Sequence, residues 1–253
     1  MKKSFLMYKR IARLSGIVAV LAVTVFAIPS TVIVSSAEAA TVTSGSCTAT
    51  VDNATGVVMT VASNGDCVLS FATAPTTPTT STESATRTWT VPASVSSVQA
   101  LVVAGGGGGG SSNGCCYDAG AGGGGGVVVA TSFAVTAGQS ITVKTGFGGR
   151  GTYCGNGLDG GNSQFGTLVA IGGGRGGGCS VIAGTGGSGG GAHCYVAGGV
   201  SNQATSGTAS NGSTVTSYGR NGGASTDCSN GGGGGGGGAT EVGAVGTGVG
   251  STG

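Results

Sequence analysis

Charge is what this chain of 253 residues has least of: Asp, Glu, Lys and Arg together make up 7% of it, and His193 is its one histidine. Proline is scarce too, with four residues, and Trp89 is the one tryptophan. These shortages exclude much. A lone imidazole supports no Ser-His-Asp arrangement beyond the presence of the residue types. Few prolines, and glycines without a strict every-third-residue repeat, exclude collagen. Beyond the first forty residues no apolar pattern has a helical period, which excludes an α-helical fold. What the chain does have is 59 glycines and eight cysteines.

The first forty residues read as an export signal rather than as part of the fold. Lys2, Lys3, Lys9, Arg10 and Arg13 precede the apolar run "LSGIVAVLAVTVFAIPSTVIV", and Ala37-Glu38-Ala39 supplies the small residues of a cleavage site. The expected signal peptide is 1–39. Its removal takes five of the ten basic residues and one of the eight acidic ones, leaving five against seven and a net charge of −2. A slightly acidic exported chain has no electrostatic attraction for nucleic acid or for an anionic membrane. The single "GGGRGGG" around Arg175 does not alter that.

An even number of cysteines in an exported chain points to disulfides. Cys47 and Cys67 flank two strand-like segments, 57–62 and 68–72, which turn at Ser63-Asn64-Gly65-Asp66, and these two cysteines are expected to pair. The other six, Cys115, Cys116, Cys154, Cys179, Cys194 and Cys228, lie in the glycine-rich part and allow fifteen pairings. Adjacent Cys115 and Cys116 are expected to reach different partners. Cys179, His193 and Cys194 include zinc-ligand types, but no C-x-x-C or H-x-x-x-H spacing accompanies them, so no metal and no cofactor is assigned. Asp52, Asp66, Glu83, Asp118, Asp159, Asp227 and Glu241 are scattered singly, as solvated loop residues are, with no paired-carboxylate site. "AGGGGGGS" satisfies G-x-G-x-x-G trivially, without the helix and the later acidic residue that a dinucleotide fold needs.

Composition divides the remainder. Residues 40–73 form a small Cys-bounded β module nearly free of glycine, 74–88 a Thr/Ser/Pro linker or surface loop, and 89–253 a glycine-rich domain. In that domain strand-like pieces alternate with glycine tracts. "TWTVPASVSSVQALVVA" reads as a half-buried strand running into six glycines. "VVVATSFAV" and "SITVKTG" flank Thr136-Ala137-Gly138-Gln139 as a hairpin candidate. With strands at both ends, a tract of six glycines in an extended helix of three residues per turn covers about 19 Å. Tracts without side chains can lie side by side and satisfy one another's N–H and C=O groups. The expected fold is all-β: a sandwich-like strand framework around packed polyglycine II helices.

The ordered series "TWTVP", "LVVAGG", "AGQSITV" and "GGNSQFGTL", closing on "NGGGGGGGGATEVG", resembles the glycine-rich domain of bacterial secreted and surface proteins. It is more distantly similar to the glycine-rich domain of anaplastic lymphoma kinase-type receptors and to glycine-rich phage tail-tip adhesins. The resemblance implies a β framework enclosing polyglycine helices and used for ligand or receptor binding. The family pattern continues into a further hydrophobic strand and often a wall-sorting or membrane tail, whereas this sequence ends at "VGTGVGSTG". The expectation is a fragment or a frame closed differently.

The function expected is that of a secreted or surface-exposed structural and adhesive protein, without catalysis and without membrane insertion after cleavage. Its partner would be a surface glycan or protein met by loops carrying Tyr117, Tyr153, Tyr195 and Tyr218. A receptor-like or phage-derived recognition module is the alternative, and an extracellular enzyme without a recognisable site ranks third. An isolated glycine tract would exchange its amides at random-coil rates. Packed tracts predict slow hydrogen exchange over 231–238 in the oxidised protein, read by mass spectrometry, and random-coil exchange there would reject the packing.

Overall fold

The alternating segments form strands, and the described residues of the computed structural model contain no helix. Those residues are 39–72, 84–112, 118–178, 182–203, 207–208, 214–228 and 232–247. Residues 1–38 of the expected signal peptide, most of the expected linker, Cys115, Cys116, Tyr117 and Cys179 lie outside them.

Two antiparallel sheets make the frame. The first contains β1 (Ala39–Ser44), β2 (Cys47–Asp52), β5 (Ser84–Thr90), β9 (Ser140–Gly146), β11 (Ser163–Phe165) and β12 (Leu168–Ala170), in that spatial order. The second runs β13 (Gly207–Thr208), β14 (Thr214–Tyr218), β8 (Val127–Ala134), β6 (Ser97–Val103). Strand periodicity places one face of each inward. Val51, Trp89, Ile141 and Val143 line the first sheet and Ala100, Val102, Val128, Ala130 and Phe133 the second, in one continuous buried core. Phe165 joins the two sheets: its ring centroid lies 5.9 Å from Trp89 in its own sheet and 5.5 Å, edge to face, from Phe133 in the other.

The Cys-bounded module is built as expected. β3 (Val57–Val61) and β4 (Cys67–Phe71) pair as a hairpin across the Asn64-Gly65 turn, and Cys47 is bonded to Cys67. Gly65 takes a φ of +88° there, a conformation that glycine adopts without strain. The module is continuous with the frame, since β2 pairs with β5 through Val51 and Trp89. β5 starts at Ser84, so residues 84–88, expected in the linker, are sheet.

Two expectations are corrected. "TWTVPASVSSVQALVVA" is two strands in two sheets, because Pro92 has no N–H to continue a ladder and the chain crosses the core between Thr90 and Ser97. The hairpin expected about residues 136–139 is absent as well: β8 lies in the second sheet and β9 in the first. Their link is a second crossing laid beside the first. The Val135 N–H donates to Ser96 O, Val91 N–H to Gln139 O and Gly138 N–H to Val91 O. Val91 and Val135 are both buried in the core, and that burial selects a crossing over a hairpin.

Arg87 clamps the module to the frame. Its side chain is 2% exposed. Nε and Nη2 donate to Thr55 O, Nη2 also to Ala72 O at 3.0 Å, and Nη1 to Thr145 Oγ1 at 3.0 Å. Burial pushes the guanidinium below its ordinary value, opposed by the charge of Asp52, which accepts the Thr88 N–H. Arg87→Gln leaves carbonyls without donors and is expected to lower stability by about 3 kcal/mol, read from denaturant midpoints. A loss under about 1 kcal/mol would show that the clamp contributes little.

Candidate functional site

Glycine tracts leave the strands at one end of the domain and return to it. Residues 105–110 follow β6 outward, 120–126 return to β8, 155–161 return to β11, 172–178 follow β12 outward and 219–224 follow β14 outward. The strand side is the proximal end and the far turns are the distal end.

Hydrogen bonds between tracts repeat every three residues. Gly173 and Gly176 donate to Gly105 and Gly108, and Gly174 and Gly177 to Ser188 and Gly191. In the reverse sense Gly160 and Gly157 donate to Gly173 and Gly176, Gly123 and Gly120 to Gly174 and Gly177, and Gly187 and Gly184 to Gly172 and Arg175. A step of three in every direction is the signature of a three-per-turn extended helix. The tract 172–177 is thus a polyglycine II helix bonded on all sides by parallel and antiparallel neighbours. The tract 232–238 belongs to the same lattice: Gly234, Gly235, Gly237 and Gly238 donate to Ala192, Ala244, Gly189 and Glu241.

A ladder of side chains with the same period was not read from the sequence. The N–H groups of Gly172, Arg175 and Gly178 donate to Asn162 Oδ1, Asp159 Oδ1 and Asn156 Oδ1 at 2.8, 2.8 and 2.9 Å. Asp159 Oδ2 also meets Arg175 Nη1 at 2.9 Å. Three short acceptors spaced i, i+3, i+6 in "NGLDGGN" face three donors spaced i, i+3, i+6 in "GGGRGGG". That spacing is the signal that could have found them, and it belongs to neither the strand nor the α-helical period. Asp159 is therefore a lattice acceptor and not a solvated loop residue. Asp118, also expected in a solvated loop, is 1% exposed.

Chain reversals at the distal end carry the residues singled out in the sequence. β7 (Ser111–Ser112) pairs there with β10 (Cys154–Gly155), and Ser111 Oγ donates to Tyr153 O at 2.5 Å. The outward run 188–192 ends at a disulfide between Cys194 and Cys228, with Cα atoms 4.3 Å apart. Tyr153 is 80% exposed and Tyr195 68%. Cys194 and Tyr195 have φ of 42° and 54°, a left-handed conformation costing a bulky L-residue about 1–2 kcal/mol, held in place by the adjoining disulfide. Tyr218 is not in a distal loop. It is the last residue of β14, paired with Val127 in the frame. The segment 192–220, which carries Tyr195 and Tyr218, contains β13, β14 and lattice residues.

A match to known families agrees with this architecture: the profile of a glycine-rich domain covers residues 79–253. The chain belongs to the glycine-rich domain family. No curated protein and no solved structure matches it. In this glycine-rich domain no described helix is long and apolar enough to cross a membrane. Among the described residues no three His, Cys, Asp or Glu side chains converge on one point.

At most glycines where tracts meet, the lattice leaves no room for a side chain. A Cβ on Gly173 would stand 2.1 Å from Gly123 O and 2.7 Å from the nitrogens of Gly107 and Gly125, whereas one on Gly109 would lie 3.8 Å from its nearest neighbour. Gly173→Ala is expected to cost more than about 4 kcal/mol or to abolish protease resistance. Gly109→Ala is expected to stay within about 1 kcal/mol. Equal midpoints for the two variants in thermal or denaturant unfolding would contradict a close-packed lattice.

Proposed function

We propose that this glycine-rich domain is an extracellular structural and adhesive protein whose lattice holds a binding face at its distal end. The observation that carries this reading is the display of Tyr153 and Tyr195, each more than two-thirds exposed, on turns fixed by the β7–β10 ladder and the Cys194–Cys228 disulfide. Solvent-exposed aromatics on a rigid support lose little entropy on contact, and amphipathic tyrosine suits both sugar rings and protein surfaces. The disulfides fit an oxidising compartment, and the basic-apolar-small order of the first forty residues fits export. In this reading the chain performs no catalysis and contacts neither nucleic acid nor the membrane interior. The glycine tracts provide reach and rigidity, and recognition belongs to the turns.

The oxidised protein, labelled at its N-terminus, should bind intact cells or a panel of surface glycans saturably. Tyr153→Ala with Tyr195→Ala should weaken that binding at least tenfold and leave the unfolding midpoint unchanged. Undiminished binding by the double variant would remove the distal face from the function.

A further inference from the structure

We propose that the Cys194–Cys228 disulfide is a reducible switch that fixes or releases the distal turn carrying Tyr195. Its consequence for recognition rests on the distal binding face proposed above. Cys194 and Tyr195 are consecutive non-glycine residues in the left-handed region, at φ of 42° and 54°. Such outliers persist where the surroundings hold them in place, and they gather at clamps and switches. Among the described residues neither of the two takes part in a hydrogen bond. Tyr195 is 68% exposed and has little packing to fix it. The disulfide is the bond that holds them.

That bond joins an anchored segment to an unanchored turn. On the Cys228 side the chain is tied into the lattice: the Thr226 N–H donates to Gly246 O, and Ser225 Oγ donates to Asp227 O. On the other side the outward tract ends at Ala192, whose N–H donates to Gly223 O, and lattice bonding resumes at Val196, whose carbonyl accepts the Ser225 N–H. Residues 193–195 span the interval. Cutting the disulfide frees them and leaves the tracts on both sides bonded. The Cys47–Cys67 bond is built differently. Cys47 is paired with Ser44 in the β1–β2 ladder and Cys67 with Val61 in the β3–β4 ladder, and neither has a positive φ. Both ladders outlast the loss of that bond.

Strained or accessible disulfides are the ones that reduce readily and serve regulation. Cys194 and Cys228 are both half-buried, within reach of a dithiol. One thiolate of the dithiol attacks a sulfur of the bond, forming a mixed disulfide and releasing the other cysteine as a thiolate. The second thiol of the dithiol then displaces the remaining cysteine. The chain gains two electrons and two protons as two thiols, and the reductant leaves as its own disulfide. Once released, Tyr195 has to be ordered again each time a partner is bound, and that cost weakens binding.

The test is a dithiothreitol titration of the oxidised full chain, with thiols trapped by iodoacetamide and located by peptide mass mapping. Amide exchange over 189–195 is read by NMR, and binding to intact cells is read alongside. Thiols at Cys194 and Cys228 should appear at lower dithiothreitol than those at Cys47 and Cys67. Exchange over 193–195 should then rise at least tenfold while 189–192 stays protected. Binding should weaken at least tenfold and return on reoxidation, and Cys194→Ser with Cys228→Ser should bind like the reduced parent. Where that double variant fails to fold, as judged by circular dichroism, titration of the parent carries the test. The switch is overturned if Cys47–Cys67 is reduced first, if 189–192 loses protection together with 193–195, or if the folded double variant binds like the oxidised parent. An oxidised parent that binds nothing would reject the distal-face reading, and the labelling and exchange results would still decide whether the turn is released by reduction.

Discussion

Main-chain hydrogen bonding between neighbouring tracts is the constraint on which this domain depends. Each lattice residue gives up about 1–2 kcal/mol of backbone entropy on ordering, and glycine gives up more than most. A net hydrogen bond returns about 1 kcal/mol, and without side chains there is almost no apolar burial to add. The lattice therefore does not stand by itself. It forms because both ends of each tract are held: proximally by strands such as β6, β8 and β12, whose core residues bury conventional apolar surface, and distally by covalent and ladder contacts such as Cys194–Cys228 and β7–β10.

This division of labour explains where variation can be carried. Proximal residues are tied to the core, as Arg87 and the two stacked crossings at Val91 and Val135 show. Interior lattice positions such as Gly173 have no room for a β-carbon. The distal turns answer to neither demand, and there the chain places its exposed tyrosines and its left-handed Cys194 and Tyr195. The same end holds Asp118 and His193, each buried with a polar side-chain atom that has no hydrogen-bond partner.

Much of the frame was legible in the sequence. Strand alternation, the Cys47–Cys67 bond, the Asn64-Gly65 hairpin and the packing of glycine tracts all follow from local pattern and turn chemistry. The crossing between β8 and β9 was not legible, since Thr136-Ala137-Gly138-Gln139 suits a hairpin as well as a crossing. The choice rests on the non-local burial of Val91 and Val135. Tyr218 was misplaced for a related reason: "TVTSY" gains its strand identity from pairing with β8. The burial of Asp118 and His193 is likewise a property of neighbouring tracts and leaves no mark on spacing.

Pure glycine tracts pose a problem of register that their backbone cannot solve. Sliding one three-per-turn helix by three residues restores every hydrogen bond except those at the ends, so many alignments have nearly equal energy. Side chains must break the degeneracy, and few are present. Asn156, Asp159 and Asn162 facing Gly172, Arg175 and Gly178 do so. A slip of three residues would still offer two oxygens to two N–H groups, but it would separate Asp159 from Arg175 and leave one carboxamide outside the ladder. The Arg175 and Asp159 side chains are 32% and 30% exposed, and as an ion pair they contribute little to stability. Its larger effect is to make one alignment of these tracts preferable to its neighbours, as a polar residue at a coiled-coil seam fixes pairing there.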